Sequence, residues 1–310
     1  METAQNSPGF LFLKRLKSGS AWLHMCIRHR ETASYLMDEV ALEDLVVEAL
    51  VKEDTRSRMR ARDGGIMVLL KVMRPQGDGA ARPEDMVSIR LWITANTIVS
   101  TREADVDPIM EIAARLDAGS GPATPGTFLA DLVDVHLNQI EQQIERLEDD
   151  TDRIAALAAA HKLEAVCNPM AETTMRISGF LRHLGPQRAV LETLCAQGDT
   201  VLDDRDRMRL DDSLDRLLRF LETLQSLRER IDILNTQVTR IQDRRLSKSS
   251  HTLVAVATIF LPLGFLTGLF GVNLAGIPMA TDTLGFWVLA AVCAILAGLL
   301  MAFLRWKKML

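Results

Sequence analysis

Two long segments near the C-terminus of the chain contain no charged residue. The segment 249–281 has no Asp, Glu, Lys or Arg, the segment 283–304 has none either, and Asp282 lies between them. Since a bilayer core about 30 Å thick needs roughly 20 apolar helical residues, each segment is long enough to span it. The pattern predicts two transmembrane helices, about 252–270 and 285–303, joined by a loop at 271–284. A buried helical hairpin in a soluble protein is the alternative, but adjacent uncharged segments of this length are rare there.

Basic residues flank the two predicted spans on their outer sides only. They are Arg240, Arg244, Arg245 and Lys248 before the first span, and Arg305, Lys307 and Lys308 after the second. The connecting loop from 272 to 284 has no Lys or Arg. Because basic residues are retained on the cytoplasmic side of a membrane, we expect both termini in the cytoplasm and the loop outside.

The first 105 residues alternate short apolar, β-favouring segments with polar turns, which is typical of a mixed α/β domain. The predicted elements are strands at 22–27, 66–72, 87–93 and 97–100 and a helix at 38–50. A helix from Asp107 to about Leu116 follows, and the Gly- and Pro-rich segment 119–126 ends it. We therefore expect a cytoplasmic α/β domain at 1–125.

From residue 126 to 250 the chain is predicted to be a helical cytoplasmic region, followed by the transmembrane domain at 251–310. Apolar residues at helical spacing run from Leu129 to Leu157, and a second helix is predicted at 170–196. The third helix begins near Asp203 and contains neither Gly nor Pro before Pro262. It is predicted to enter the membrane without a break. A helix of about 65 residues would be on the order of 100 Å long and would need packing partners.

At an interval of seven residues, one line on this long helix is acidic or hydroxylated. Its members are Asp215, Glu222, Glu229, Thr236 and Asp243. About 200° away the same interval gives an apolar line of Leu217, Leu224, Ile231 and Val238. If several copies surround an axis with the acidic line inward, they form a funnel that concentrates cations. The alternative is an ordinary amphipathic helix with a solvated face.

Small residues mark the first predicted span. Gly264, Gly268 and Gly271 remove side-chain bulk and would leave room for an ion path, although this spacing is also a general helix-packing motif. Pro262 removes one backbone hydrogen bond and is predicted to kink or loosen the helix.

The overall composition excludes several classes of protein. A net charge of −5 argues against a dedicated nucleic-acid binder. The four cysteines are scattered singly, so no disulfide framework, thiolate zinc site or resident cofactor is predicted. An enzyme is the weakest interpretation, because the sequence has no P-loop, no G-x-S-x-G elbow and no Rossmann glycine pattern.

The segment 260–273, FLPLGFLTGLFGVN, followed by LAGIP, resembles the signature region of the CorA-type divalent-cation transporters, whose first membrane helix ends in Gly-x-Asn. The triplet here is Gly271, Val272 and Asn273. Valine in its middle, where the magnesium transporters have methionine, resembles the ZntB zinc-transport branch, as does the segment 274–278. The layout of the whole chain is similar to that family.

The resemblance implies a homopentamer in a bacterial inner membrane, with the first membrane helix of each copy lining a central pore. Gly271, Val272 and Asn273 would form the periplasmic entrance, with the Asn273 ring contacting the hydrated ion. Asp282 is the one acidic residue of the outer loop. The implied pore-lining face contains Ser247, Ser250, Val254, Ala257, Leu261, Gly264 and Gly268.

The chemistry of these residues does not itself require zinc, because the triplet and loop lack the His or Cys of a tight zinc site. The expectation that zinc is the transported ion follows only from the resemblance to the ZntB branch. The alternatives are a magnesium, cobalt or nickel channel of the same type, and a membrane-anchored coiled-coil scaffold without ion flux.

Overall fold

The computed structural model describes residues 9–53, 56–62, 64–74, 86–160, 162–197, 200–272 and 284–307. It contains two compact units, Met1–Leu234 and Asn235–Leu310. The strands are β1 (Phe10–Arg15), β2 (Ala21–Cys26), β3 (Arg58–Arg62), β4 (Gly65–Val72), β5 (Val87–Thr94) and β6 (Thr97–Arg102). The helices are α1 (Glu31–Asp38), α2 (Asp44–Val51), α3 (Asp107–Asp117), α4 (Pro125–Ala159), α5 (Leu163–Gln197), α6 (Asp204–Phe270) and α7 (Gly285–Trp306).

The strands form one sheet in the order β1-β2-β6-β5-β4-β3, with β1 and β3 at its edges. Strands β2 and β6 are parallel, and the other neighbouring pairs are antiparallel. The predicted strands at 87–93 and 97–100 form a hairpin, β5–β6, in whose turn the Thr94 hydroxyl accepts hydrogen bonds from the backbone N–H groups of Asn96 and Thr97. The expectation of a mixed α/β N-terminal domain is therefore correct.

Helices α1 and α2 cover one face of this sheet. Apolar side chains from the strands and from both helices form a buried core there, including Leu23, Met67 and Leu69 from the sheet and Leu36 and Leu50 from the helices. Two polar side chains on the same face hold the C-terminal end of α2, where carbonyl groups lack helical partners. Arg90 Nε donates to the carbonyl of Lys52 at 2.7 Å, and the Thr101 hydroxyl donates to the carbonyl of Leu50.

The opposite face of the sheet is covered by the long helices. The ring of Trp22 on β2 packs edge-on against Phe128 of α4, with centroids 4.6 Å apart. The Trp22 Nε1–H donates to the Ser100 hydroxyl at 2.7 Å, and the same hydroxyl lies 2.7 Å from His24 Nδ1. This buried polar cluster joins β2 to β6 and orients the aromatic side chains against α4.

The predicted helix at 38–50 is correct from residue 44, where α2 begins, but its start is wrong, because a break separates α2 from the unpredicted helix α1. Ala41 lies in the break with a φ of 56°, a left-handed conformation that no α-helix can contain. Two edge strands, β1 and β3, were not predicted. Strand β3 reads Arg-Met-Arg-Ala-Arg, which alternates between charged and apolar residues, but five residues with only two apolar side chains make a weak strand signal.

The helical C-terminal part agrees with prediction more closely. Helix α3 ends within one residue of its predicted end, and α5 begins seven residues earlier than the predicted start at 170. The C-terminal part of α6 and the whole of α7 are the two helical segments that are long and apolar enough to cross a membrane. The domain boundaries at 125 and 250 stay predictions.

Candidate functional site: the long helix and its membrane end

Helix α6 is continuous over 67 residues and remains helical on both sides of Pro262. The proline therefore does not interrupt the helix, although its missing N–H leaves the carbonyl four residues earlier without its helical partner. Helix-interior threonines in this segment bond to backbone carbonyls, as with Thr267 Oγ1 to Leu263 O at 3.0 Å. Internal pairing of this kind satisfies hydroxyl groups where water is absent.

Within the first compact unit, the two predicted faces of α6 are distinct. Asp215, Glu222 and Glu229 are exposed, and within the described residues none of them forms an ion pair. The apolar line is buried, with Leu217, Leu224 and Ile231 at 0–1% exposure. The structure thus confirms the apolar seam and leaves the acidic line available to a partner, an ion or solvent.

A set of polar contacts holds α6 alongside α4. Arg209 Nη2 donates to Asp131 Oδ1 at 2.7 Å and to Asp134 Oδ2 at 2.6 Å, and Ser213 donates to the other oxygen of Asp134. Further along, Arg216 binds Asn138 and Glu141, and Arg230 binds Asp152 at 2.6 Å. Each pair is separated by 75 to 79 residues in sequence, so α4 and α6 run parallel in one register. Sequence reasoning missed these contacts, although arginines at seven-residue intervals on α6 were a visible signal.

The register begins where both helices begin. Asp206 is buried, and its Oδ1 accepts a hydrogen bond from the Thr127 hydroxyl in the first turn of α4. Burial and the neighbouring Asp203 carboxylate raise the pKa of Asp206 above its usual value. Gly126 permits this contact, because a Cβ there would lie 2.1 Å from Asp206 Oδ2 and 2.9 Å from the carbonyl oxygen of Val201.

In the second compact unit, the predicted funnel and pore-lining residues on α6 are all exposed. They are Thr236, Asp243, Ser247, Ser250, Val254, Ala257, Leu261, Gly264 and Gly268. A Cβ added at Gly264 or Gly268 would meet no neighbouring atom. Phe260 and Phe265, outside this set, are exposed as well. The exposure therefore indicates a membrane or subunit environment for the whole span and does not single out one face as the pore.

The predicted entrance lies at the last residues that the structure describes before the loop. The Gly271 N–H donates to the carbonyl of Gly268 at 3.2 Å, just past the end of α6, and Val272 is exposed. Asn273 and Asp282 lie outside the described residues. Among the described residues, no group of three or more His, Cys, Asp or Glu side chains is arranged to hold a metal ion. The metal-ligand atoms in the described part of the first span are hydroxyl and backbone oxygens. Such oxygens suit the passage of a hard, hydrated cation better than the tight binding of a dehydrated one.

The sequence matches a family model described as "CorA-like Mg2+ transporter protein" over residues 17–307. Among curated relatives, the zinc transport protein ZntB of Yersinia enterocolitica is 32% identical over 287 residues, which is 93% of this chain and 86% of that protein. The ZntB protein of Cronobacter sakazakii is 33% identical over 285 residues, covering 91% of this chain and 85% of its own.

Solved structures share the fold over nearly the whole chain. The full-length CmaX protein superposes with a TM-score of 0.80 at 25% identity, covering 98% of this chain and 99% of its own. The CorA magnesium transporter of Methanocaldococcus jannaschii gives a TM-score of 0.75 at 16% identity, covering 92% and 90%. Two apolar C-terminal helices after a large N-terminal part agree with an inner-membrane protein whose termini are cytoplasmic. The chain belongs to the CorA-like family of divalent metal cation transporters.

Proposed function

We propose that this protein conducts divalent cations, with zinc as its main cargo, through the axial pore of a homopentamer in the bacterial inner membrane. The observation that carries the proposal is the Gly271-Val272-Asn273 triplet, which follows a 67-residue helix with an uncharged C-terminal segment. The preference for zinc is supported by curated relatives, at 32–33% identity, that are named zinc transport proteins.

In the proposed assembly, the first membrane helix of each copy faces the axis. Asn273 and the backbone oxygens of Gly271 and Val272 hold the hydrated ion at the periplasmic entrance, and Asp282 adds negative charge to the outer loop. The pore surface is formed by Ser247, Ser250, Val254, Ala257, Leu261, Gly264 and Gly268. Self-association also gives the exposed side of this helix a partner, which one copy alone does not supply.

The experiment that tests this function is zinc entry into liposomes that contain the purified protein, measured with an internal zinc dye and with magnesium as competitor. Saturable zinc entry above that of empty liposomes is expected, and native mass spectrometry is expected to give five copies. Entry of magnesium without zinc would favour the magnesium-channel alternative. Absence of flux for every divalent cation would favour the anchored scaffold.

The exposed acidic line should govern how fast cations reach the cytoplasmic end of the pore. We expect the triple variant Asp215→Asn, Glu222→Gln, Glu229→Gln to lower the initial rate about tenfold when zinc is supplied from the cytoplasmic face at low ionic strength, since focused charge raises local cation concentration. In about 1 M salt, where the Debye length is near 3 Å, the difference should nearly vanish.

The matched control is the triple variant Glu145→Gln, Glu148→Gln, Asp149→Asn, which removes the same charge from exposed positions of α4. It should retain most of the wild-type rate at both salt concentrations. Equal losses in both triple variants would assign the effect to net charge and not to the line on α6.

A further inference from the structure

A groove on the α1–α2 side of the sheet lies between helix α2 and edge strand β3. Its volume is about 170 Å³. One wall is formed by Leu45, Glu48 and Ala49 on one face of α2 and by Lys52, the residue after its end. The other wall is formed by Arg58, Arg60 and Arg62 of β3. The buried side chain of Met67 on β4 is its apolar floor.

The three arginines share one face of the sheet because side chains alternate along a strand. The register confirms which face this is: Arg60 is opposite Met67 and Arg58 is opposite Leu69 in the antiparallel β3–β4 pair. Met67 and Leu69 belong to the core beneath α1 and α2. At the position where this apolar face reaches the sheet edge, the sequence therefore has guanidinium groups in place of further apolar side chains.

The groove is strongly cationic. It is lined by four basic side chains and by one carboxylate, that of Glu48. In the described part of the chain, none of Arg58, Arg60 and Arg62 forms an ion pair, whereas arginines elsewhere in this unit, such as Arg209 and Arg176, bind aspartates. Charged residues on an edge strand also prevent strand-to-strand aggregation. That role does not require a lysine on the facing wall or an apolar floor between the walls.

We propose that this groove binds a small phosphate-bearing anion. Guanidinium groups present paired N–H donors that match phosphate oxygens, and Lys52 adds a point charge from the opposite wall. The apolar floor contributes contact area beneath the anion. The site lies in the N-terminal α/β domain and shares no residue with the proposed ion pathway, so its occupation is a separate binding function of the chain.

The test is calorimetric titration of pyrophosphate into the full-length protein in nanodiscs, in metal-free buffer at low ionic strength. Saturable binding of one anion per chain is expected, and sulfate should compete. The double variant Arg60→Gln, Arg62→Gln should weaken binding at least tenfold. Lys52→Gln, on the helix wall, should weaken it as well, and this second variant keeps the proposal testable if the strand variant does not fold.

The matched control is the double variant Arg146→Gln, Arg205→Gln, which removes two exposed arginines outside the groove. Its affinity should stay within twofold of the wild-type value. In hydrogen exchange, pyrophosphate should protect residues 58–62 and 45–52. Absence of saturable binding, or equal weakening by both double variants, would overturn the proposal.

Discussion

Replacing Asn273 with alanine is expected to lower zinc flux at least about tenfold while leaving the oligomer intact. Each side chain would lose an amide oxygen that contacts the hydrated ion, and a net hydrogen bond is worth roughly 0.5–1.5 kcal/mol. Because a homopentamer would lose such contacts in every copy, the summed loss exceeds the 1.4 kcal/mol that corresponds to a tenfold change. Selectivity filters depend on rings of oxygens in this way.

The flux of this variant is measured in the zinc-dye liposome assay, with the pentamer checked by native mass spectrometry. Asn235→Ala is the matched control, because it makes the same substitution at an exposed position of α6 outside the membrane segment. That control should conduct at the wild-type rate. Wild-type flux in Asn273→Ala would remove the triplet from the ion pathway.

Acidification is expected to destabilise the N-terminal domain through two buried histidines. Burial, reinforced by the positive charge of Arg102, lowers the pKa of His24 from 6.5 to about 3, against a raising effect of the Ser100 hydrogen bond. Burial likewise lowers the pKa of His136 to about 4, against the raising effect of its bond to Gln187. Gln187 Nε2 donates to the Lys71 carbonyl, so its Oε1 accepts from His136 Nε2–H at 3.1 Å.

The direction follows from proton linkage. Between pH 6.5 and these lowered values, the unfolded chain binds a proton at each histidine and the folded chain does not. The stabilising contribution is therefore fully present above pH 6.5 and is lost as pH falls toward 4 and 3. Each histidine should lower the free energy of unfolding by about 1.4 kcal/mol per pH unit, or roughly 2 kcal/mol between pH 6.5 and 5.

Hydrogen exchange of the β2 and β6 amides at pH 7 and 5, corrected for intrinsic rates, measures this loss as a change in opening free energy. In His24→Gln, which does not titrate, the pH-dependent loss should shrink by the share of one histidine. His29→Gln is the control, since His29 is exposed. An unchanged pH dependence in His24→Gln would contradict the assignment.

Much of the fold could be predicted because its dominant patterns are local. Continuous helical spacing identified α4 and α6, and the uncharged segments identified both candidate spans. The break between α1 and α2 escaped prediction because it depends on the backbone at Ala41, a residue with no preference for a left-handed conformation. Strand β3 escaped because three of its five residues are arginines, which give little strand signal although the strand pairs with the adjacent β4.

In the candidate site, too, the local patterns were predicted and the contacts between distant parts of the chain were not. Heptad spacing correctly separated the exposed acidic line of α6 from its buried apolar line. It did not identify which carboxylates of α4 would meet Arg209 and Arg216, because those partners lie 75 to 78 residues away in the chain. In the proposed pentamer, the pore-lining residues of α6 contact neighbouring copies, and the periodicity of one helix does not encode contacts between chains.

The constant register between α4 and α6 has a mechanical consequence. Arg209, Arg216 and Arg230 lie at multiples of seven residues, and polar partners of the first two recur on α4 at the same interval. A heptad of helix is about 10 Å long. If α6 moved along α4 by less than that distance, all of these contacts would break together. These contacts therefore couple the two helices, and a displacement of α4 by a few ångström is expected to move the neighbouring part of α6 with it.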